Sequence, residues 1–299
     1  MNKNEYNIFD SILYFIILGV CRVLSVLPFF VIFFISDISY LLIYRLVGYR
    51  KKIVRNNLTK SFPEKSIDEI KKIEKGSYHF LCDYFFETLA AVYISKRTLA
   101  KRFIYKNPEV LDPYFEKKQS VILVAAHYCN WEMSNMMPLF IKHKPLAAYK
   151  PLTNKSLDRF YIKMRERFGL EAVPMNNIVK RLFQYEQKGI PTLIYLLADQ
   201  RPLRMNIRFW TTFLNQDTPV YLGPEKISKK FDLAVFYFDL KRVGRGKYEA
   251  WFRLLEDKPK TTKEFEITEK HTLFLENVLK NEPSYWFWSH RRWGHEKFN

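Results

Sequence analysis

Two short apolar runs, Val121–Ala126 and Thr192–Ala198, constrain this chain more than any other feature. Each has the length of a strand rather than a helix, and each reads as buried. Strands of that kind sit inside a sheet that helices cover on both faces. Each run also delivers polar residues at its end: His127 after the first, and Asp199, Gln200 and Arg201 at the end of the second. In sheets of this class chemistry gathers beyond the strand ends.

The intervening segments read as helices. Ser66-Ile-Asp-Glu69 is a capping box that opens a long helix to about Val92. Asn130–Ile141 reads as a helix, with Glu132 in its first turn. Lys155–Phe168 is stopped by Gly169 and Asn177–Lys188 by Gly189. Leu146–Tyr149 is a further short strand. Thr218-Pro219 reads as a helix start, with proline at the first helical position. Leu233–Arg242 and Lys247–Glu256 flank Val243-Gly-Arg-Gly246 and predict a hairpin, and Glu264–Lys280 is a final amphipathic helix. The expected fold is α/β: a single domain with a mixed central sheet flanked by helices.

Ahead of that domain, Ile12–Ile35 is apolar except for Arg22, Ser25 and Pro28, and a second apolar stretch, Ile38–Val47, follows. The first run is long enough to cross a bilayer as a helix. Pro28 kinks or ends it, and Arg22 is costly at mid-bilayer. A transmembrane anchor and a monotopic hairpin both fit; the alternative is a pair of buried helices in a soluble protein. Arg45, Arg50, Lys51, Lys52, Arg55 and Lys60 come directly after, as expected for a cytoplasmic flank. The run is too long for a cleaved signal and lacks a small-x-small site. The expected division is residues 1–48 as membrane-anchoring helices and 49–299 as one domain.

Lys and Arg number 49 against 31 Asp and Glu, a formal charge of +18. Such an excess calls for an anionic partner: a phospholipid surface, a phosphorylated lipid, an acidic carrier protein or nucleic acid. The apolar N-terminus favours a membrane, and the absence of zinc-finger and RRM signatures argues against nucleic acid. Cys21, Cys82 and Cys129 form no C-x-x-C pair, so neither a zinc site nor a disulfide framework is expected, and a reduced, cytosolic setting is the simplest.

The pattern His127-x-x-x-x-Glu132 sets a base at a strand end with a carboxylate near enough to orient it, which is what deprotonating a hydroxyl needs. The competing reading is a core histidine beside a helix-start acid. No H-E-x-x-H or G-x-S-x-G occurs, so metal-centred and Ser/His/Asp chemistry are not indicated. Cys129 is a possible nucleophile that the geometry does not require. Asp199 is either a solvated turn residue or part of the site. The basic residues from Arg201 to Arg208, with Lys229, Lys230, Lys241, Arg242, Arg291 and Arg292, form either a solvated surface or a phosphate-facing cluster. The tail Tyr285-Trp-Phe-Trp-Ser-His-Arg-Arg-Trp293 is too aromatic to hang free; packing on the domain is its default.

A series of these motifs resembles the bacterial lipid A late acyltransferases of the lauroyl/myristoyl type, within the lysophospholipid acyltransferase superfamily. The resemblance rests on Tyr49-Arg50, Asn57-Leu58, Ser61-Phe62-Pro63-Glu64, His127-x-x-x-x-Glu132 and Tyr149-Lys-Pro-Leu152. It continues through Leu197-Ala-Asp-Gln200, Thr218-Pro219, Gly223-Pro224, Pro283-x-x-Trp286, Trp288 and His290-Arg-Arg-Trp293. It implies transfer of a fatty acyl chain from an acyl carrier protein or CoA thioester to a hydroxyl of a phosphorylated glycolipid at the bacterial inner membrane, on its cytoplasmic side. His127 and Glu132 would be catalytic, His127 as the base and Glu132 as the group that fixes its tautomer. Lys150, Asp199, Gln200 and Arg201 would bind substrate, with Lys150 or Arg201 as a candidate oxyanion donor. No metal and no cofactor beyond the acyl donor is implied. The family commonly has arginine where this chain has Lys150, and a lysine offers no bidentate fork. The competing class is a non-catalytic basic protein that binds anionic lipid or a protein partner at the membrane surface.

Overall fold

The structure, a computed structural model, describes residues 8–294. Helix α1 (Ile8–Val26) and helix α2 (Phe29–Tyr40) meet at Leu27-Pro28, where the proline has no N–H to continue the first helix. Helix α2 runs on as a π-helical turn, Leu41–Val47, which ends at Gly48 in the left-handed region. Phe9–Val26 and Phe29–Val47 are each long and apolar enough to cross a membrane, and only 17% of each is buried. That is too little for core helices: Phe9, Phe30, Leu46 and Val47 all face outward.

The inward side of this hairpin is tied to the domain by charge. Helix α3 (Lys51–Ser61) follows, then helix α4 (Ile67–Ala91), whose capping box forms as expected between Ser66 and Glu69. Asp83 of α4 is fully buried and accepts from Ser36 Oγ at 2.7 Å. Arg245 bridges Asp83 (2.7 Å) and Asp37 (2.5 Å), and Arg242 holds the other Asp83 oxygen at 2.7 Å. Burial pushes the Asp83 carboxyl up, but hydrogen bonds from His79, Arg245 and Ser36 together outweigh it and hold it well below the usual carboxylate range. Asp37, His79 and Asp83 converge closely enough to suggest a cation site, but the two guanidinium groups already supply the positive charge there.

Short helices α5 (Lys96–Ala100) and α6 (Asp112–Glu116) flank strand β1 (Phe103–Tyr105). Then come β2 (Val121–Ala125), β3 (Lys144–Tyr149), α7 (Lys155–Arg165), β4 (Glu171–Pro174), α8 (Ile178–Glu186) and β5 (Thr192–Leu197). The chain closes with a separate hairpin β6 (Trp210–Phe213) and β7 (Gln216–Pro219), helix α9 (Gly223–Phe231), the long hairpin β8 (Ala234–Gly244) and β9 (Lys247–Glu256), and α10 (Glu266–Asn281). The main sheet has the order β1-β9-β8-β2-β5-β3-β4. Strand β2 lies at its centre, parallel to β5 and β8, and all five of its residues are buried. The β8–β9 pair is antiparallel, so the sheet is mixed, as expected.

Two elements differ from the sequence reading. Residues after Asn130 form a 3-10 helix, Trp131–Leu139, rather than an α-helix. Seven consecutive residues, Trp131–Met137, are buried, and Pro138 cannot donate a backbone hydrogen bond, so the segment has neither a polar face nor a full α ladder. Thr218-Pro219 ends β7 instead of opening a helix. Val220 N–H still bonds Phe209 O at 3.2 Å, and the helix-start proline is Pro224 in the first turn of α9.

Candidate active site

His127 lies two residues beyond Ala125 at the end of β2, and Asp199 two residues beyond Leu197 at the end of β5. Ala125 and Leu197 are paired partners in register. Parallel strands in register therefore bring the two side chains together at the carboxyl edge of the sheet. His127 Nδ1 and Asp199 Oδ1 are 2.7 Å apart. The imidazole is 18% exposed, whereas the Asp199 side chain is 2% exposed. Burial drives the Asp199 carboxyl up, but the charge and hydrogen bonding of His127 and the Trp286 indole lower it by more, so it is held as a carboxylate. With a carboxylate accepting at Nδ1, the tautomer carries its proton there and presents its lone pair at Nε2. Trp131 packs edge-on against the imidazole, with ring centroids 4.8 Å apart, and limits its rotation.

The second Asp199 oxygen is taken by the C-terminal tail. Trp286 Nε1 donates to Oδ2 at 2.7 Å. The tail reaches this position because Tyr128 and Trp286 form an antiparallel bridge and Cys129 N–H donates to Tyr285 O at 2.9 Å. Cys129 adopts φ +53, a conformation that costs a non-glycine residue about 1–3 kcal/mol and that the surrounding structure must impose. Burial pushes the Cys129 thiol far up, which leaves it inert as a nucleophile at neutral pH.

Glu132 is elsewhere engaged. The sequence reading expects it to orient His127; the structure puts Asp199 in that position and pairs Glu132 with Arg165 at the end of α7. Arg165 Nε reaches Glu132 Oε2 at 3.0 Å, and its Nη2 holds the other oxygen. Burial lowers the Arg165 guanidinium, but the Glu132 carboxylate raises it by more, so the pair stays ionic. The physical reason is backbone direction. Cys129 turns the chain sharply, and the buried 3-10 helix points Glu132 toward α7 and away from the imidazole.

Lys150 is exposed, one residue past β3, at the same sheet edge. Gln200 and Arg201 are half-buried and continue from Asp199. The Arg201 N–H donates to His290 Nε2 at 3.4 Å. Burial pushes the His290 imidazole down to about 4, so it is neutral and able to accept. The sequence reading gives the tail that carries Trp286 packing as its default and leaves Arg292 in either a solvated surface or a phosphate-facing cluster. Arg292 is in fact buried in a narrow cavity lined also by Asp199, Phe213, Tyr237 and His271. Burial lowers its guanidinium to about 10, still a cation at neutral pH, facing Asp199. The signal for both residues was the density of aromatic and basic side chains in Tyr285–Trp293, which has no value on a free tail.

The sequence pattern of the bacterial lipid A biosynthesis acyltransferases matches residues 2–295. The chain belongs to that family. It is therefore an acyltransferase of lipid A biosynthesis, an enzyme that uses an acyl donor and a glycolipid acceptor, and the reading as a non-catalytic lipid-binding protein is set aside. No curated protein matches this acyltransferase. Among solved structures it is similar to the 1-acyl-sn-glycerophosphate acyltransferase PlsC from Thermotoga maritima. The identity is 12%, over 89% of this chain and 97% of that one, with a TM-score of 0.36. An overlay so loose bears on neither residue roles nor substrate.

Proposed function

We propose that this acyltransferase moves a fatty acyl chain from an acyl carrier protein or CoA thioester to a hydroxyl of a membrane-held, phosphorylated lipid A precursor or related glycolipid, with His127 as general base. The observation that carries the reading is the buried relay His127–Asp199–Trp286 at the carboxyl edge of the central strands. His127 Nε2 takes the hydroxyl proton as the substrate oxygen attacks the thioester carbonyl carbon. The imidazolium is offset by Asp199, whose own charge is held by Trp286 and Arg292. The tetrahedral oxyanion is met by a cation at the same edge, Lys150 or Arg201. Collapse breaks the C–S bond, and the leaving thiolate takes the proton back from His127. Attack is direct, so no acyl-enzyme and no further cofactor are needed.

Residues 1–48 serve as the anchor and 49–299 as the acyl-transfer domain, at the bacterial inner membrane on its cytoplasmic side. The basic residues from Arg45 to Lys60 support that orientation. The excess positive charge suits both lipid phosphates and an acidic carrier protein. The test is a mass-resolved transfer assay with acyl carrier protein thioesters and a phosphorylated lipid A precursor, with His127→Ala in parallel. A product heavier by one acyl chain, absent with the variant, is expected. Full turnover by folded His127→Ala would overturn the mechanism.

A further inference from the structure

Asp199, Gln200 and Arg201 lead directly into the loop Pro202–Arg208, which contains a single 3-10 turn, Arg204–Asn206. Leu203 is 57% exposed and Met205 74% exposed, the latter among the most exposed apolar side chains of the chain. Arg204 and Arg208 alternate with them and are also exposed. Apolar tips interleaved with arginines make a poor water-facing loop, but fit the boundary between lipid headgroups and acyl chains. There the apolar tips leave water and the guanidinium groups meet phosphate.

The loop is also connected to the apolar hairpin. The π-helical turn after α2 ends on the outward-facing Leu46 and Val47. Three residues later, Arg50 Nη1 donates to Ser289 O at 3.1 Å. The next residue, His290, accepts the N–H of Arg201, which opens the loop. The apolar helix end is thus linked to the loop through Gly48–Arg50, Ser289–His290 and Arg201. One short run of hydrogen bonds ties the exposed Leu46 and Val47 to the segment that carries Leu203 and Met205.

We propose that the Pro202–Arg208 loop is a second membrane contact, with Leu203 and Met205 seated in the interfacial layer and Arg204 and Arg208 on the phosphates of an anionic lipid surface. The contact sets the mouth of the site against the bilayer, so an acceptor hydroxyl reaches His127 without its acyl chains entering water. The proposal rests on the reading of the N-terminal helices as an anchor, and its test separates the two. Cys21, Cys82 and Cys129 are all buried, so a single introduced surface cysteine takes an environment-sensitive fluorophore selectively. Met205→Cys, Leu203→Cys, Phe34→Cys on the apolar hairpin and Lys117→Cys at the amino end of β2 are labelled in the full chain. Each is reconstituted into nanodiscs of phosphatidylcholine and phosphatidylglycerol, with and without lipids carrying a nitroxide near the headgroup.

The expected result is a blue shift and a nitroxide-dependent loss of emission at positions 34, 203 and 205, with neither at 117. Adding Arg204→Gln and Arg208→Gln to the labelled Met205→Cys chain should reduce the loss at 205 and leave that at 34 unchanged. Quenching at 34 without quenching at 203 and 205 overturns the loop contact and leaves the anchor standing. No quenching at any position overturns both, and equal quenching at 117 shows that the loop has no special place at the surface.

Discussion

His127 alone could rotate and keep its proton on either nitrogen; Asp199 at Nδ1 and Trp131 against the ring remove both freedoms. Asp199→Asn keeps the shape and loses the charge, so kcat is expected to fall on the order of 10³–10⁴-fold with little change in thermal midpoint. Trp286→Phe removes one hydrogen bond to that carboxylate and should cost about tenfold. Glu132→Gln acts differently. It leaves the Arg165 guanidinium largely buried without its countercharge, so the loss is one of stability, about 3–5 kcal/mol. Side-by-side kinetics and thermal unfolding of the Asp199 and Glu132 variants check this. A Glu132 variant with unchanged thermal midpoint and collapsed kcat would restore the role that sequence spacing assigns it. Five positions separate His127 from Glu132 in the chain and seventy-two separate it from Asp199, so spacing favours a carboxylate that the structure pairs with Arg165 instead.

At the scale of elements, α4 is the piece on which the others are assembled. Its capping box and apolar periodicity are legible in the chain, and so is the β8–β9 hairpin. Their joint is not. Gly246 at the hairpin tip has φ +66, and a Cβ there would come within 2.7 Å of the Phe33 ring, so the tip is built to press against α2. Deeper in the same contact, Glu87 of α4 accepts from Tyr248 of β9 at 2.7 Å and from Asn130 at 3.0 Å. Burial pushes the Glu87 carboxyl up to about 7, only partly offset by those hydrogen bonds. The sign follows from proton counting. Between the ordinary carboxylate value of about 4.3 and about 7, the unfolded chain releases a proton that the folded one keeps, so this group's contribution to stability falls as pH rises. Glu87→Gln should therefore melt increasingly higher than the parent chain as pH goes from about 5 to 8. Thermal unfolding across that range is the check, and a difference that does not grow with pH would show Glu87 to be ionised in the fold.

For the molecule as a whole, the apolar helical pair is packed into the same core as the sheet. Ile32 and Tyr44 are part of the main core, Tyr44 Oη donates to Glu74 at 2.9 Å, and Ser36, Arg242 and Arg245 all converge on Asp83. A chain cut to residues 49–299 should therefore be insoluble or aggregated, and its soluble yield and size-exclusion profile test this. A well-behaved monomer from that fragment would show the division at residue 48 to be a true domain boundary. The sequence by itself determined the class of sheet, the apolar helical pair ahead of it, the strand-end histidine and the family. All of these are written in local runs: hydrophobic period, caps, and the order of short motifs. Only the tertiary structure decided which carboxylate contacts His127, that the aromatic tail returns to hydrogen-bond that carboxylate, and that the cation of Arg292 lies behind it. Those pairings depend on parallel strand register and on a tail closing over the sheet edge, contacts between segments far apart in the chain that no local pattern encodes.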